Sequence, residues 1–263
     1  MGKIIVVASG KGGTGKTTTA ANLGAALSEN GYLTVLVDMD IGLRNLDIAL
    51  GLESSVVFDA VEVIEGRSSL DEVLIQHSKY ENLYFIAAPQ TREAISVEEE
   101  KVTDFWERLK NRFDYCIVDA PAGIIGCGFE YACAGADAAL IVSLPELTAL
   151  RDADRAISVL EKKGIEDTKL IVNRIRPELI DRGLMMNVDE CMDILGIPII
   201  GIVPEDEELT ACALSGELAM SQEKSLAGKA FSNIAKRLCG ENIPILTMEK
   251  KRRFKIFEKL YKK

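Results

Sequence analysis

Short apolar runs alternate with amphipathic stretches along most of this chain. Lys3–Ala8 reads as a short buried strand, and Thr18 to Asn30 reads as a helix with Leu23, Leu27 and several alanines along one side. Gly31 stops that helix. Further strands are expected at Leu33–Val37, Leu83–Ala87, Tyr115–Val118, Ala138–Ser143, Lys169–Asn173 and Ile197–Val203. Their apolar runs do not alternate with polar residues, as suits parallel strands covered on both faces. Residues 54–76 read as short amphipathic helices. Longer helices are expected at Glu98 to Lys110, Thr148 to Lys163, Val188 to Leu195 and 223–239, with Phe105, Trp106 and Leu109 turned inward on the first.

Strands that alternate with helices predict a three-layer, doubly wound α/β fold. Its mostly parallel sheet would be flanked by helices on both faces. Residues 1–240 would form this one domain, 241–249 a connector, and 250–263 a C-terminal amphipathic helix. The apolar content of 48% and charged content of 27% suit a soluble globular domain. No apolar run approaches the length of a membrane span. The first strand begins too early for a signal peptide to precede it, so a cytoplasmic location is expected.

The turn between the first strand and helix is the chemical centre of the chain. Gly10-Lys11-Gly12-Gly13-Thr14-Gly15-Lys16-Thr17 fits G-x-x-x-x-G-K-S/T, the phosphate-binding loop. Glycines let successive N–H groups turn toward phosphate oxygens, and the helix N-terminus adds partial positive charge. Lys16 would reach the β- and γ-phosphates of ATP, the Thr17 hydroxyl would bind Mg²⁺, and Thr18 would follow in the first helical turn. Gly10-x-Gly12-x-x-Gly15 is also a dinucleotide fingerprint, with Asp38 about where a ribose-binding acid belongs. That reading gives no reason for Lys16-Thr17.

Other strand ends carry polar residues on the same ligand-binding edge. The second strand closes on Asp38-Met39-Asp40. The fourth closes on Asp119-Ala120-Pro121-Ala122-Gly123. An apolar strand ending in Asp, with Gly beyond it, is the second half of a phosphate-loop nucleotide hydrolase. Asp119 would hold Mg²⁺ through water, and Gly123 could turn its N–H to the γ-phosphate. Asn173-Arg174 and Pro204-Glu205-Asp206 end two later strands. The only histidine, His77, leaves no Ser-His-Asp hydrolase arrangement that the pattern supports. Six cysteines without C-x-x-C spacing read as buried apolar residues; among them, Cys127 and Cys133 carry no assigned role.

Charge is uneven. Residues 249–263 hold eight Lys/Arg against two Glu, a net +6, so the total of −10 leaves −16 on the preceding 248 residues. On a helical projection Phe254, Ile256, Phe257, Leu260 and Tyr261 share an arc of about 160°, with lysines opposite. A basic helix with an aromatic apolar stripe fits an in-plane helix on an anionic membrane; docking on the body and binding to nucleic acid or a protein partner are the competing readings. An acidic body argues against a nucleic-acid partner.

Lys11-Gly-Gly-Thr-Gly-Lys16-Thr-Thr, Asp38-Met-Asp-Ile-Gly-Leu-Arg-Asn-Leu-Asp47, Asp119-Ala-Pro-Ala-Gly123 and the basic tail together resemble the MinD/ParA family of ATPases, most closely its septum-site branch. The resemblance implies an ATP-dependent homodimer that binds the inner face of the cell membrane and recruits regulatory proteins to place the division site, with hydrolysis releasing it. It implies that Lys11 reaches the partner's ATP, that Asp40 positions the attacking water and that Asp119 supports Mg²⁺. It also implies that Asn173 reads the adenine edge, with Pro204, Glu205 and Asp206 nearby. The tail here is longer and more basic than is usual in the family. DNA-partition ATPases, flagellar-placement ATPases and a nucleotide-sensing scaffold with negligible turnover share the loop.

Overall fold

The computed structural model describes residues 1–90 and 97–245. Eight strands form one sheet: β1 (Lys3–Ala8), β2 (Thr34–Asp38), β3 (Ile75–Gln76), β4 (Leu83–Ile86), β5 (Tyr115–Asp119), β6 (Ala138–Ser143), β7 (Thr168–Ile175) and β8 (Ile199–Pro204). They lie in the order β3-β4-β2-β5-β1-β6-β7-β8. All neighbours run parallel except β3 against β4. The doubly wound α/β fold is as expected. The edge strand β3 corrects the reading of 54–76 as helices throughout; at two residues long it has too little apolar pattern to signal a strand.

Alternate residues of β1 serve different layers. Ile4, Val6 and Ala8 pack with α3 (Ala60–Ile64), α4 (Leu70–Val73), α5 (Glu99–Arg112), α6 (Cys127–Ala134), α7 (Leu147–Lys162) and α9 (Val188–Leu195). Ile5 and Val7 face α1 (Lys16–Glu29), α2 (Leu46–Leu50) and α11 (Leu226–Leu238). Two shorter helices, α8 (Pro177–Ile180) and α10 (Glu207–Ser215), follow β7 and β8. Phe105, Trp106 and Leu109 are buried as their spacing predicts. Trp106 donates its indole N–H to the Tyr131 carbonyl at 2.9 Å, so its one polar atom is satisfied in the core.

α6 and α10 depart from the sequence reading. α6 is built largely of small residues, with buried Gly128, Phe129, Ala132 and Cys133, and α10 buries only Cys212. Neither presents the wide apolar stripe by which a surface helix is recognised. The connector's first part, 241–245, lies within the described residues; the amphipathic segment 250–263, with Phe254, Ile256, Phe257, Leu260 and Tyr261, lies outside them. Among the described residues no helix is long and apolar enough to cross a membrane.

Candidate nucleotide site

β2, β5 and β1 end in register, with Asp119 opposite both Asp38 and Val7. Three chain turns therefore meet at one place: the phosphate loop after β1, the Asp38–Asp40 turn after β2 and the Asp119–Gly123 turn after β5. α7 closes the floor. A Cβ on Gly10 would come 1.9 Å from the Asp152 carbonyl oxygen, so only glycine lets the loop lie on that helix.

Gly15 begins α1 at φ 95°, in the left-handed region. A Cβ there would lie 2.3 Å from Asn173 Nδ2. That amide donates to the Thr14 carbonyl at 2.8 Å while its oxygen accepts the Arg174 N–H at 2.9 Å. Asn173 thus ties the end of β7 to the phosphate loop. Its contact is with the loop itself, and this lock was not foreseen from sequence. Exposed Arg174 follows at φ 55°, held in an unusual conformation for a non-glycine residue.

The start of α1 is open. No side chain caps it and its first turn holds no acid. By contrast, α3, α4, α9, α10 and α11 are capped by Asp59, Ser69, Asn187, Asp206 and Ser225. An uncapped helix start with free N–H groups is an anion site in waiting. Lys16 stands inside it, 7% exposed. Its Nζ donates to Ser9 Oγ at 3.0 Å, and Ser9 Oγ donates to the Lys11 carbonyl at 2.6 Å. Burial lowers the pKa of Lys16; Asp119 and then Asp40 pull it back up. Lys16 forms no ion pair among the described residues. A buried ammonium answered mainly by one hydroxyl is an unbalanced charge.

The acids around it are unbalanced in the opposite sense. Burial raises Asp119 to about 7, with the Thr17 hydroxyl and Lys16 opposing and Asp40 adding to the rise. Its Oδ1 has no hydrogen-bond partner, nor does the buried hydroxyl of Thr14. Asp38 is raised well above the usual range by burial and then by Asp119. Its Oδ1 accepts the Asp40 N–H at 2.8 Å and its Oδ2 the Leu46 N–H at 3.2 Å. Asp38 therefore pins both ends of the 40–46 loop and is fully buried, which removes it as a ribose-binding acid. Half-buried Asp40 has its own pKa raised by burial, against the pull of Lys16. The buried Asp47 pairs with Arg44 at 2.7 Å and braces the same loop, with Arg44 at φ 44°.

The remaining candidates are distributed around this centre. Exposed Gly12 and Gly13 form the loop's crest, and a Cβ on Gly12 would lie 3.7 Å from the Ala122 methyl. Lys11 leans outward, its Nζ 3.7 Å from Glu146 at the start of α7. Gly123 turns at φ 94°. Pro204 ends β8; Glu205 pairs with Arg176 at 2.9 Å. Asp206 is committed to structure. It accepts N–H groups of Glu208 and Ala227 and the Ser225 hydroxyl. Burial alone would raise its pKa, but those hydrogen bonds carry it below the usual range.

These residues fit the phosphates of a nucleotide and a divalent cation. Lys16 and the bare α1 terminus call for an anion; the free Asp119 oxygen, the Thr17 hydroxyl and the raised acids call for a cation beside it. Such a pairing defines the class: a phosphate-loop nucleotide-binding protein. The family model for the CobQ/CobB/MinD/ParA nucleotide binding domain matches residues 5–219, and the chain belongs to that family. Its relatives include the septum site-determining protein MinD of Synechocystis sp., 47% identical over 94% of this chain and 92% of that protein, and MinD of Bacillus subtilis, 44% identical over 95% and 93%. A chain of the MinC:MinD cell division protein complex of Aquifex aeolicus superposes with a TM-score of 0.86 at 43% identity, covering 93% of this chain and 98% of that one. MinD of Pyrococcus horikoshii, solved with Mg-ADP, gives 0.79 at 28% identity over 90% and 96%.

Proposed function

We propose that this chain is a Mg²⁺-dependent ATPase of the MinD kind, which pairs with a second copy around ATP, attaches reversibly to an anionic membrane surface in that state, and serves placement of the division site. The observation that carries the catalytic part is the buried, unbalanced Lys16 at the uncapped start of α1, facing the free oxygen of Asp119. The division-site role rests on the septum site-determining relatives, which match this chain along nearly its whole length.

In this reading Lys16 and the N–H groups from Gly13 to Thr18 bind the β- and γ-phosphate oxygens. Thr17 and Asp119 would hold a bound Mg²⁺, the hydroxyl directly and the carboxylate through water, while Asp40 accepts a hydrogen bond from the attacking water and so orients it. A bound Mg²⁺ would supply positive charge that offsets the charge developing on the phosphates. Lys11, at the rim, contributes its charge to the partner subunit's nucleotide. Asn173 holds the loop against the base-binding end of β7, with Arg174, Pro204, Glu205 and Asp206 along that wall. The tail's five apolar residues at 254–261 supply roughly 5 kcal/mol on partial burial, enough for weak single attachment. Pairing of two tails strengthens it by a factor on the order of 10²–10⁴.

Co-sedimentation with anionic vesicles in ATP, ADP or no nucleotide, beside a version ending at residue 248, tests this directly. The reading expects binding with ATP only, lost on truncation. Equal binding in all three states, or none, would overturn the nucleotide-controlled attachment. Lys11→Ala is expected to bind ATP yet stay monomeric in light scattering; dimers of unchanged mass would refute its cross-interface role.

A further inference from the structure

The edge of the sheet opposite the phosphate loop holds an arginine with an unusual set of partners. Arg237 stands in the last turn of α11. Its Nε donates to the Ile243 carbonyl at 2.8 Å, its Nη1 to the Ile200 carbonyl at 2.7 Å and its Nη2 to the Pro244 carbonyl at 2.5 Å. No carboxylate pairs with it among the described residues. The guanidinium fork is instead filled by backbone oxygens from two separate segments, β8 and the chain beyond α11.

The chain reaches that position by turning back on itself. Gly240, at φ 88°, donates to the Arg237 carbonyl at 3.0 Å; Glu241 donates to the Lys236 carbonyl at 3.0 Å and Ile243 to that of Glu241 at 3.0 Å. On the near side, Cys239 packs on the same apolar cluster as Tyr32 and Tyr115, whose rings meet edge to face 5.2 Å apart. Residues 239–245 are therefore bound to the body. Removing them would leave a partly buried cation with one of its three acceptors, a costly loss for a charged donor.

We propose that Arg237 is a positioning residue for the C-terminal segment: by gripping the Ile243 and Pro244 carbonyls beside that of Ile200, it fixes the point from which the chain beyond Ile245 leaves the body. That point lies on the opposite edge from the nucleotide, about one strand length of 15–20 Å away. Without the grip, the last fixed residue would fall back by about five positions from Phe254, and effective concentration falls roughly as the −3/2 power of tether length, near twofold per tail. Two tails on a dimer would compound the loss.

The functional arm of this inference rests on the membrane reading above; the structural arm does not. In the structural arm, ¹⁵N relaxation is measured on the full chain, native, Arg237→Ala and Arg237→Lys. Heteronuclear NOE values at Asn242, Ile243 and Ile245 should match the body in the native protein and fall to those of free chain in Arg237→Ala, while Phe231 and Ile234 stay rigid. Arg237→Lys, which keeps the stem and charge but not the fork, should fall between. It carries the test if the alanine variant does not fold. Unchanged rigidity at 242–245 would overturn the proposal. In the functional arm, ATP-dependent vesicle binding should weaken two- to fivefold in Arg237→Ala with basal ATP turnover unchanged. Native-like vesicle binding by a variant whose connector is loose would overturn the positioning role. If the native protein itself bound no vesicles, the membrane reading would fail and the relaxation result would still decide the anchor.

Discussion

The two edges of the sheet are both rich in aspartate, and they use it in opposite ways. At the edge where the strands begin, Asp137 takes the Ile4 N–H at 2.8 Å and the Lys110 ammonium at 2.6 Å, and Asp114 takes the Leu33 N–H at 2.9 Å. Asp167 sits between Lys169 and Lys3, which hold its pKa below the usual range. At the edge where the strands end, Asp38 and Asp119 are buried side by side with raised pKa values, and an Asp119 oxygen has no partner. The first edge is satisfied and stabilises the fold. The second stores unbalanced charge, which is what a ligand can relieve. Residue type does not distinguish them; burial and the supply of partners do.

Matched substitutions would break or sharpen this contrast. The largest effect is expected for Asp119→Asn against Asp137→Asn. Removing the Asp119 charge should cut ATP turnover at least 10²-fold yet leave the ligand-free protein as stable or more so, by about 1 kcal/mol, since a poorly compensated buried charge is gone. Asp137→Asn should leave turnover unchanged and cost about 0.5–1 kcal/mol through the lost ion pair. Thermal melts beside phosphate release would check both signs, and a loss of stability in both variants would erase the contrast.

Two glycines come next. Gly15 and Gly31 share a left-handed conformation, at φ 95° and 89°, but a Cβ on Gly31 meets nothing within 4 Å while one on Gly15 meets Asn173. Gly31→Ala should cost about 1 kcal/mol from backbone strain alone. Gly15→Ala should cost a further ~1–2 kcal/mol and displace Asn173, which nucleotide affinity would report. Equal unfolding midpoints for the two would mean that Asn173 yields freely.

These comparisons also show what could be read in advance. Apolar runs located most strands because both faces of the sheet are covered. The phosphate loop and the Asp119 turn were legible because their spacing is set by one local turn each, whereas Asp40 was singled out only by the family resemblance. Asn173 was placed at the correct edge, but its bond to Thr14 spans 159 positions and leaves no local pattern. Asp206 caps α10, and because a helix cap and a ligand contact both favour an acid after a strand, the sequence alone did not reveal its capping role. Nothing in the sequence separated Asp38, an acid that pins a loop, from Asp40 two residues later.

A smaller effect concerns pH. With Asp119 near 7 in the fold against an ordinary 3.8, the folded protein holds a proton that the unfolded chain releases between those values. Its stabilising contribution is therefore complete below about pH 4 and disappears as pH rises through about 7. Asp38 acts in the same direction. His77 opposes them: burial first, then Lys79, lowers its pKa against the pull of its bond to Leu50, so its contribution is lost as pH falls. The difference between native protein and Asp119→Asn isolates the carboxyl. Between pH 7.5 and 5.5 the ligand-free native protein should gain on the order of 1–2 kcal/mol relative to the variant. Parallel profiles would show that Asp119 is already charged. The smallest effect is expected for Lys3→Ala, which breaks a pair with Asp167 that is 39% and 41% exposed and should cost under about 1 kcal/mol in denaturant titrations.

The central claim is that the unbalanced edge binds and cleaves ATP. Steady-state phosphate release from Mg-ATP, with vesicles present, compares the native chain with Lys16→Ala and Asp137→Asn. Turnover in the native protein and in Asp137→Asn, with a loss of at least about 10²-fold in Lys16→Ala, is the expected result. Turnover that survives in Lys16→Ala, or that is absent from the native protein, would contradict the account.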